Sequence, residues 1–193
     1  MNMKSIKGTR TEKNLLAAFA GESQARNRYT YFASVAKDAG YEQISAIFLE
    51  TVDNEKEHAK RFFGLLEGGE VEITAGYPAG TIEDTAVNLE AAAEGELLEW
   101  GSIYKNAAQV AKEEGFENVS RQFSEIAKIE KHHEARYRKL LENLKKDQVF
   151  KKDGVVLWKC RNCGYVLEGR QAPQKCPACA QPQAYFEIKA DNY

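Results

Sequence analysis

Twice in this chain a glutamate is followed three residues later by a histidine, as Glu55/His58 and Glu130/His133, and both pairs lie in sequence patterned as helix. A helix turns by about 100° per residue, so positions i and i+3 project about 60° apart from one face and form a two-point grip on a metal. Each pair also continues an apolar row: Ile44, Phe48 and Thr51 lead through Glu55 and His58 to Phe62, and Phe123 and Ile126 lead through Glu130 and His133 to Tyr137 and Leu140. A carboxylate in a core position is unstable without a compensating cation or proton, so any fold for this chain must supply one. His132 follows Glu130 by two residues and points to the opposite side, which leaves it to solvent.

Apolar residues recur every three or four positions in four stretches rich in Ala, Leu, Glu, Lys and Gln, which predicts amphipathic helices. The first covers residues 11–39, with Leu15, Ala18, Ala25, Phe32 and Ala36 inward and Gly40 as its C-cap. The second covers 41–67 and presents Ile44, Ile47, Phe62 and Leu65. The third covers 81–114, and Gly115 separates it from a fourth over 116–147. Residues 68–80, with Gly76 and Pro78, are too many for a tight turn and read as a crossover. Two short connections and one long one suit a ferritin-like four-helix bundle in a mainly α protein.

The other two helices carry core-facing carboxylates as well. Glu22 interrupts the row Leu15, Ala18, Ala25, and Glu96 and Glu99 interrupt Leu89, Ala92 and Ile103. Glu22 precedes Glu55 by 33 residues and Glu96 precedes Glu130 by 34, so each helix pair contributes Glu and then Glu-x-x-His. Glu99 breaks this repeat, because Ala25 stands at the equivalent place. A seventh donor would make two metals inequivalent and let one ligand replace another as oxidation state changes, opening a position for a small oxidant. Tyr29 and Tyr104 are candidates to hydrogen-bond the carboxylates of Glu22 and Glu99 from behind, or else are core tyrosines. Glu90, Glu94, Glu113 and Glu114 read as surface charges.

Composition changes from Asp153 onward to Val, Trp, Cys, Gly, Pro and Tyr, as in a small β and turn module organised by metal. The expected division is a bundle over 1–150 and a cysteine module over 151–193, with lysine-rich 145–152 as linker. Cys160, Cys163, Cys176 and Cys179 form two C-x-x-C pairs, a tetrahedral sulfur cage for zinc or a single iron. Their spacing alone leans to a structural zinc ribbon. Zinc has no redox chemistry, so the neighbouring bundle favours iron.

The net charge of −2 is spread along the chain, so no basic face points to nucleic acid or an anionic membrane. The N-terminal sequence carries no signal-peptide pattern, and no stretch approaches the ~20 apolar residues of a membrane span. A cytoplasmic protein is expected, where thiols favour metal over disulfides.

Four segments carry a resemblance to the rubrerythrin family over essentially the whole chain: Glu-Ser-Gln-Ala-Arg-Asn-Arg-Tyr from Glu22, Glu-Lys-Glu-His-Ala-Lys-Arg from Glu55, Gly-Glu-Leu-Leu-Glu from Gly95, and Cys-Arg-Asn-Cys-Gly-Tyr-Val from Cys160. One Glu from each of two helices plus Glu-x-x-His from each of the others is the known pattern of ferritin-like di-iron proteins, so the match is one of pattern. The resemblance implies Glu22, Glu55, His58, Glu96, Glu99, Glu130 and His133 as ligands of two non-haem irons. It likewise implies Cys160, Cys163, Cys176 and Cys179 around one rubredoxin-type iron, with zinc the alternative occupant on isolation. It further implies a peroxidase that reduces hydrogen peroxide to water in oxidative-stress defence, and a homodimer or larger homo-oligomer. No Gly-x-Gly-x-x-Gly motif follows a strand, so electrons would come from a separate NAD(P)H-dependent reductase or rubredoxin. An iron-storing ferritin-like protein and a zinc-ribbon regulator are the competing classes.

Overall fold

Gly40 and Gly115 turn the two tight corners of the helical region, with φ of 82° and 80°. Each lets the next amide reach back over the helix end, Tyr41 N to Ala36 O and Phe116 N to Ala111 O, both at 2.8 Å. The computed structural model describes residues 4–191. Helix α1 (Arg10–Asp38) thus folds back onto α2 (Glu42–Phe63). Helix α3 (Thr85–Leu98) runs through a π-helical turn (Glu99–Ile103) into α4 (Tyr104–Glu113), and this single rod folds back onto α5 (Glu117–Lys145). The arrangement is the expected four-helix bundle, the third helix being divided by its π turn.

Local chemistry moves two boundaries from their expected places. The second helix stops at Phe63, and the third starts at Thr85, because the Asp84 side chain accepts from Val87 N at 2.9 Å and caps it there. The Thr81 hydroxyl is engaged instead by Glu83. The crossover therefore spans 64–84. Glu114 is also more than a surface charge: it accepts from Thr11 N at 2.9 Å and from Thr11 Oγ1 at 2.6 Å, tying the end of α4 to the start of α1.

Ile103 was expected inward and is 43 % exposed, whereas Tyr104 is buried. The wider π turn inserts one residue into the helical count, so the inward row passes from Glu96 to Tyr104 and on to Ala107, Ala108 and Ala111.

The core comes in two apolar layers. One contains Tyr29, Phe32, Ile44, Phe48, Leu89, Tyr137 and Leu140, and the other Leu15, Phe62, Tyr104, Phe116, Phe123 and Ile126. Burying each large side chain stabilises the fold by roughly 1.5–3 kcal/mol. On every helix the switch from one layer to the other falls at a buried glutamate: Glu22, Glu55, Glu96 and Glu130. An acidic layer is thus held between two apolar ones.

The C-terminal module is a three-stranded antiparallel sheet, β1 (Lys151–Cys160), β2 (Val166–Gln171) and β3 (Phe186–Ile188), in the order β2-β1-β3. Trp158, fully buried, packs with Ala172 and Phe186 and donates from Nε1 to Gly169 O at 3.1 Å. The expected linker is shorter than 145–152, because β1 already begins at Lys151. Phe150 stacks on Tyr41 at the α1–α2 corner, with centroids 6.1 Å apart and planes 10° from parallel. No helix among the described residues is long and apolar enough to cross a membrane.

Candidate metal centres

The four helices bring six of the seven expected helical donors together. Glu22, Glu55, His58 and Glu130 place one ligand atom each within 4.8 Å of one another, and so do Glu55, Glu96, Glu130 and His133. Glu55 and Glu130 belong to both groups, each turning one oxygen to either side. His58 Nδ1 lies 2.9 Å from Glu55 Oε2 and 2.9 Å from Glu130 Oε1, with Glu22 Oε2 at 3.8 Å. His133 Nδ1 lies 2.8 Å from Glu130 Oε2, 3.3 Å from Glu55 Oε1 and 3.7 Å from Glu96 Oε2. Two bridging carboxylates, with one terminal carboxylate and one imidazole on either side, make a nest for two cations.

The donor set fits metal better than it fits itself. Glu22 Oε2, Glu55 Oε1, Glu96 Oε2, both Glu130 oxygens and His133 Nδ1 are buried without a hydrogen-bond partner. His58 Nδ1 faces two acceptors at 2.9 Å and has at most one proton for them. Such orphaned buried groups are rare unless an ion completes them. Without metal, protons must compensate. Burial, and then the charge of Glu55, pushes Glu96 up to about 8, and burial raises Glu22 well above the usual carboxylate range. Burial would also raise Glu55, but the imidazoles of His133 and His58 beside it outweigh burial and hold it at about 2. Burial disfavours charge on His133, yet the surrounding carboxyl groups of Glu130, Glu55 and Glu96 carry it up to about 12. His58 is raised in the same way.

The structure does not bring Glu99 into either four-atom group. It sits on the π turn, its carboxyl raised well above the ordinary range by burial and next by the charge of Glu22. Tyr29 and Tyr104 do hydrogen-bond carboxylates, but each reaches across to the other helix pair. The Tyr29 hydroxyl donates to Glu96 Oε1 at 2.7 Å, and Tyr104 donates to Glu22 Oε1 at 2.5 Å. The expected partners, Glu22 and Glu99, are thereby corrected: Tyr29 stands on the face of Glu22 but about 10 Å further along the helix, and each hydroxyl is taken up by a carboxylate of the facing helix pair.

Two features had no sequence signal strong enough to find them. Asn54 Oδ1 lies 3.2 Å from His133 Nε2, where it can accept that N–H and leave Nδ1 to face the nest. Between α1 and the π turn, beneath crossover residues 75–78, lies a cavity of about 130 Å³ bordered by Tyr29, Glu99 and Tyr104. Tyr77 roofs it and donates to Ala17 O at 2.8 Å.

The cysteines form the second centre. All four Sγ atoms lie within 4.8 Å of one another, with Cys160–Cys179 at 3.8 Å and Cys163–Cys176 at 3.7 Å. Those separations are far beyond a disulfide bond of about 2.05 Å. They match the edges, about 3.8 Å, of a tetrahedron with metal–sulfur bonds of about 2.3 Å. The two knuckles are built alike: Gly164 N donates to Cys160 O and Ala180 N to Cys176 O, both at 2.9 Å. The backbone amide of Gln181, helped by the Asn162 side chain, holds the Cys179 thiol down at about 6, toward the thiolate a metal needs.

Comparison with known proteins agrees with both centres. A family model described as rubrerythrin matches residues 13–141, and one described as the rubredoxin-like domain of rubrerythrin matches 158–187. The chain is 58 % identical to a rubrerythrin of Porphyromonas gingivalis over 98 % of its own length and 95 % of that protein's. It is 54 % identical to a rubrerythrin of Nitratidesulfovibrio vulgaris, covering 99 % of this chain and 100 % of the relative. A solved structure of nigerythrin in a mixed-valence state superposes with a TM-score of 0.62 at 28 % identity, covering 98 % of this chain and 94 % of that one.

Proposed function

The chain belongs to the rubrerythrin family, and from that premise we propose that it is a peroxidase that reduces hydrogen peroxide to water. The reading rests on one observation: a two-cation carboxylate nest and a tetrahedral thiolate cage occur in the same chain. Bound iron supplies two electrons at the helical site and single electrons through the sulfur cage. Glu22, Glu55, His58, Glu96, Glu130 and His133 would hold the helical pair, and Cys160, Cys163, Cys176 and Cys179 the single iron.

The protein's own groups define the rest. Glu55 and Glu130, each with one oxygen toward either imidazole, fix the spacing between the two positions. Tyr29 and Tyr104 hold Glu96 and Glu22 by one oxygen, leaving Oε2 of each turned inward. Glu99 is the proposed seventh donor, and by adding to the Glu22/His58 half it makes the two positions unequal. The apolar layers on either side exclude bulk water, so small molecules approach from the cavity beside Glu99.

An external NAD(P)H-dependent reductase or rubredoxin supplies the electrons, the protein works in the cytoplasm as a homodimer or larger, and residues 1–150 and 151–193 are its two functional units. To test the reading, the anaerobically reduced protein is mixed with hydrogen peroxide and both iron chromophores are followed. Rapid oxidation by peroxide and a sluggish response to oxygen are expected. A helical site left reduced by peroxide refutes it. Cys160→Ser is expected to retain a single turnover and lose reductant-driven cycling, and normal steady-state rates in that variant would remove the sulfur site from the electron route.

A further inference from the structure

We propose that the cavity beneath the crossover binds the alkyl group of small organic hydroperoxides, making methyl, ethyl and tert-butyl hydroperoxide substrates beside hydrogen peroxide; this rests on the peroxidase reading above. Hydrogen peroxide has no apolar part and needs no such room. The space is nevertheless kept open by two glycines inside helices, Gly21 in α1 and Gly95 in α3, each one residue before a nest glutamate. Neither has a positive φ. A Cβ at Gly21 would meet only Tyr77 Cε1 at 3.7 Å, and one at Gly95 would meet Arg28 Nη2 at 3.6 Å and Tyr29 Oη at 3.8 Å, all ordinary contacts. Backbone geometry and helix packing therefore do not require glycine at either place. Each costs its helix roughly 1 kcal/mol relative to alanine. What both glycines do preserve is the empty volume.

The cavity's chemistry runs from polar to apolar. Its inner border holds Glu99 and the two tyrosines whose hydroxyls bind Glu22 and Glu96. The remaining walls are mainly alanine, glycine and aliphatic side chains, with Gln24 and Arg28 the polar exceptions. A molecule with a peroxide at one end and a short alkyl group at the other matches that gradient. Size sets the upper limit: an apolar cavity of about 150 Å³ accepts benzene, and this one measures about 130 Å³. A tert-butyl group fits, and a cumyl group, larger than benzene, does not.

The reaction balances as ROOH + 2 e⁻ + 2 H⁺ → ROH + H₂O. The O–O bond breaks, both oxygens are reduced, each oxygen takes one proton from solvent, and the alcohol and water leave. The electrons come from the same external reductant that serves hydrogen peroxide.

The test uses the full metal-loaded chain with its reductant and compares hydrogen, tert-butyl and cumene hydroperoxides. Turnover of tert-butyl hydroperoxide to equimolar tert-butanol is expected, with cumene hydroperoxide refused. Gly21→Leu, which fills the cavity, should lower the tert-butyl to hydrogen peroxide ratio of kcat/KM by about tenfold or more; Gly95→Leu serves if that variant does not fold. A readout free of turnover is xenon titration of the zinc-loaded chain, in which the amide signals of Gly21, Gly76 and Gly95 should shift. Reduction of hydrogen peroxide without tert-butyl hydroperoxide overturns the proposal and leaves the peroxidase reading intact. Equal use of cumene hydroperoxide, an unchanged ratio in the filled variant, or no xenon shift also overturns it. If hydrogen peroxide itself is not reduced, both readings fall.

Discussion

Stripped of metal, the acidic layer should make the bundle less stable as pH rises from about 5 to about 8. Glu96 shows the size of the effect. Its folded carboxyl titrates at about 8 against an ordinary 4.5, so the folded protein keeps a proton that the unfolded chain releases. The resulting stabilisation is complete below the unfolded value and is lost as pH rises through the folded one. At about 1.4 kcal/mol per pH unit for each proton, that interval amounts to on the order of 5 kcal/mol. Glu22 and Glu99 shift in the same direction. His133, raised to about 12, adds to the slope above its ordinary value of 6.5, since its stabilisation is full below that value and fades through the higher one. Glu55, at about 2, loses its contribution only in acid and is silent here. Domain stabilities are about 5–15 kcal/mol, so such a change is easily measured. The assay is guanidinium unfolding of chelator-treated protein, followed by the helical circular dichroism signal at several pH values. The midpoint should fall steadily for the metal-free protein and stay nearly level for the loaded one, in which cations replace the protons. A level midpoint without metal, or the same slope with and without it, would refute the reasoning.

Four substitutions probe the nest further. Glu55→Ala removes a bridging carboxylate and should deplete both helical metals, whereas Glu22→Ala should deplete mainly one, as read by metal analysis. Asn54→Leu leaves the His133 ring without its acceptor and should weaken helical metal binding by about 10–100-fold in a competitive chelator titration. An affinity equal to wild type would remove Asn54 from the site. Tyr104→Phe strips Glu22 Oε1 of its donor and should destabilise the metal-free bundle by about 1–3 kcal/mol in denaturant unfolding.

Much of this was legible in the chain because buried charge stands out against a helical period. Leu15, Phe32, Ile44, Phe123 and Tyr137 fall on their predicted faces and are buried, and the glutamates interrupting those rows are buried with them. His132 is exposed, as two-residue spacing from Glu130 requires. Helix starts were less legible, since Thr81 and Asp84 are both good caps and only the folded crossover selects Asp84. The π turn left no local mark: residues 99–103 are as compatible with an α-helix, and Ile103 was misplaced for that reason. Asn54 and His133 are 79 residues apart, so their contact belongs to helix packing and not to any spacing along the chain.

The π turn also bears on how such a chain can vary. Relaxation of residues 99–103 to regular α-helix with no change in residue number would rotate everything beyond by about 100°. Tyr104 would swing off Glu22, Ile103 would take its place among the core aromatics, and Glu114 would leave the start of α1. Surface loops in general tolerate changes of length, and the crossover should do so too. The stretch from Glu96 to Tyr104 keeps its inward row either as eight steps through the π turn or as seven regular α-helical ones, so across evolutionary time its residue number and its π turn should change only together.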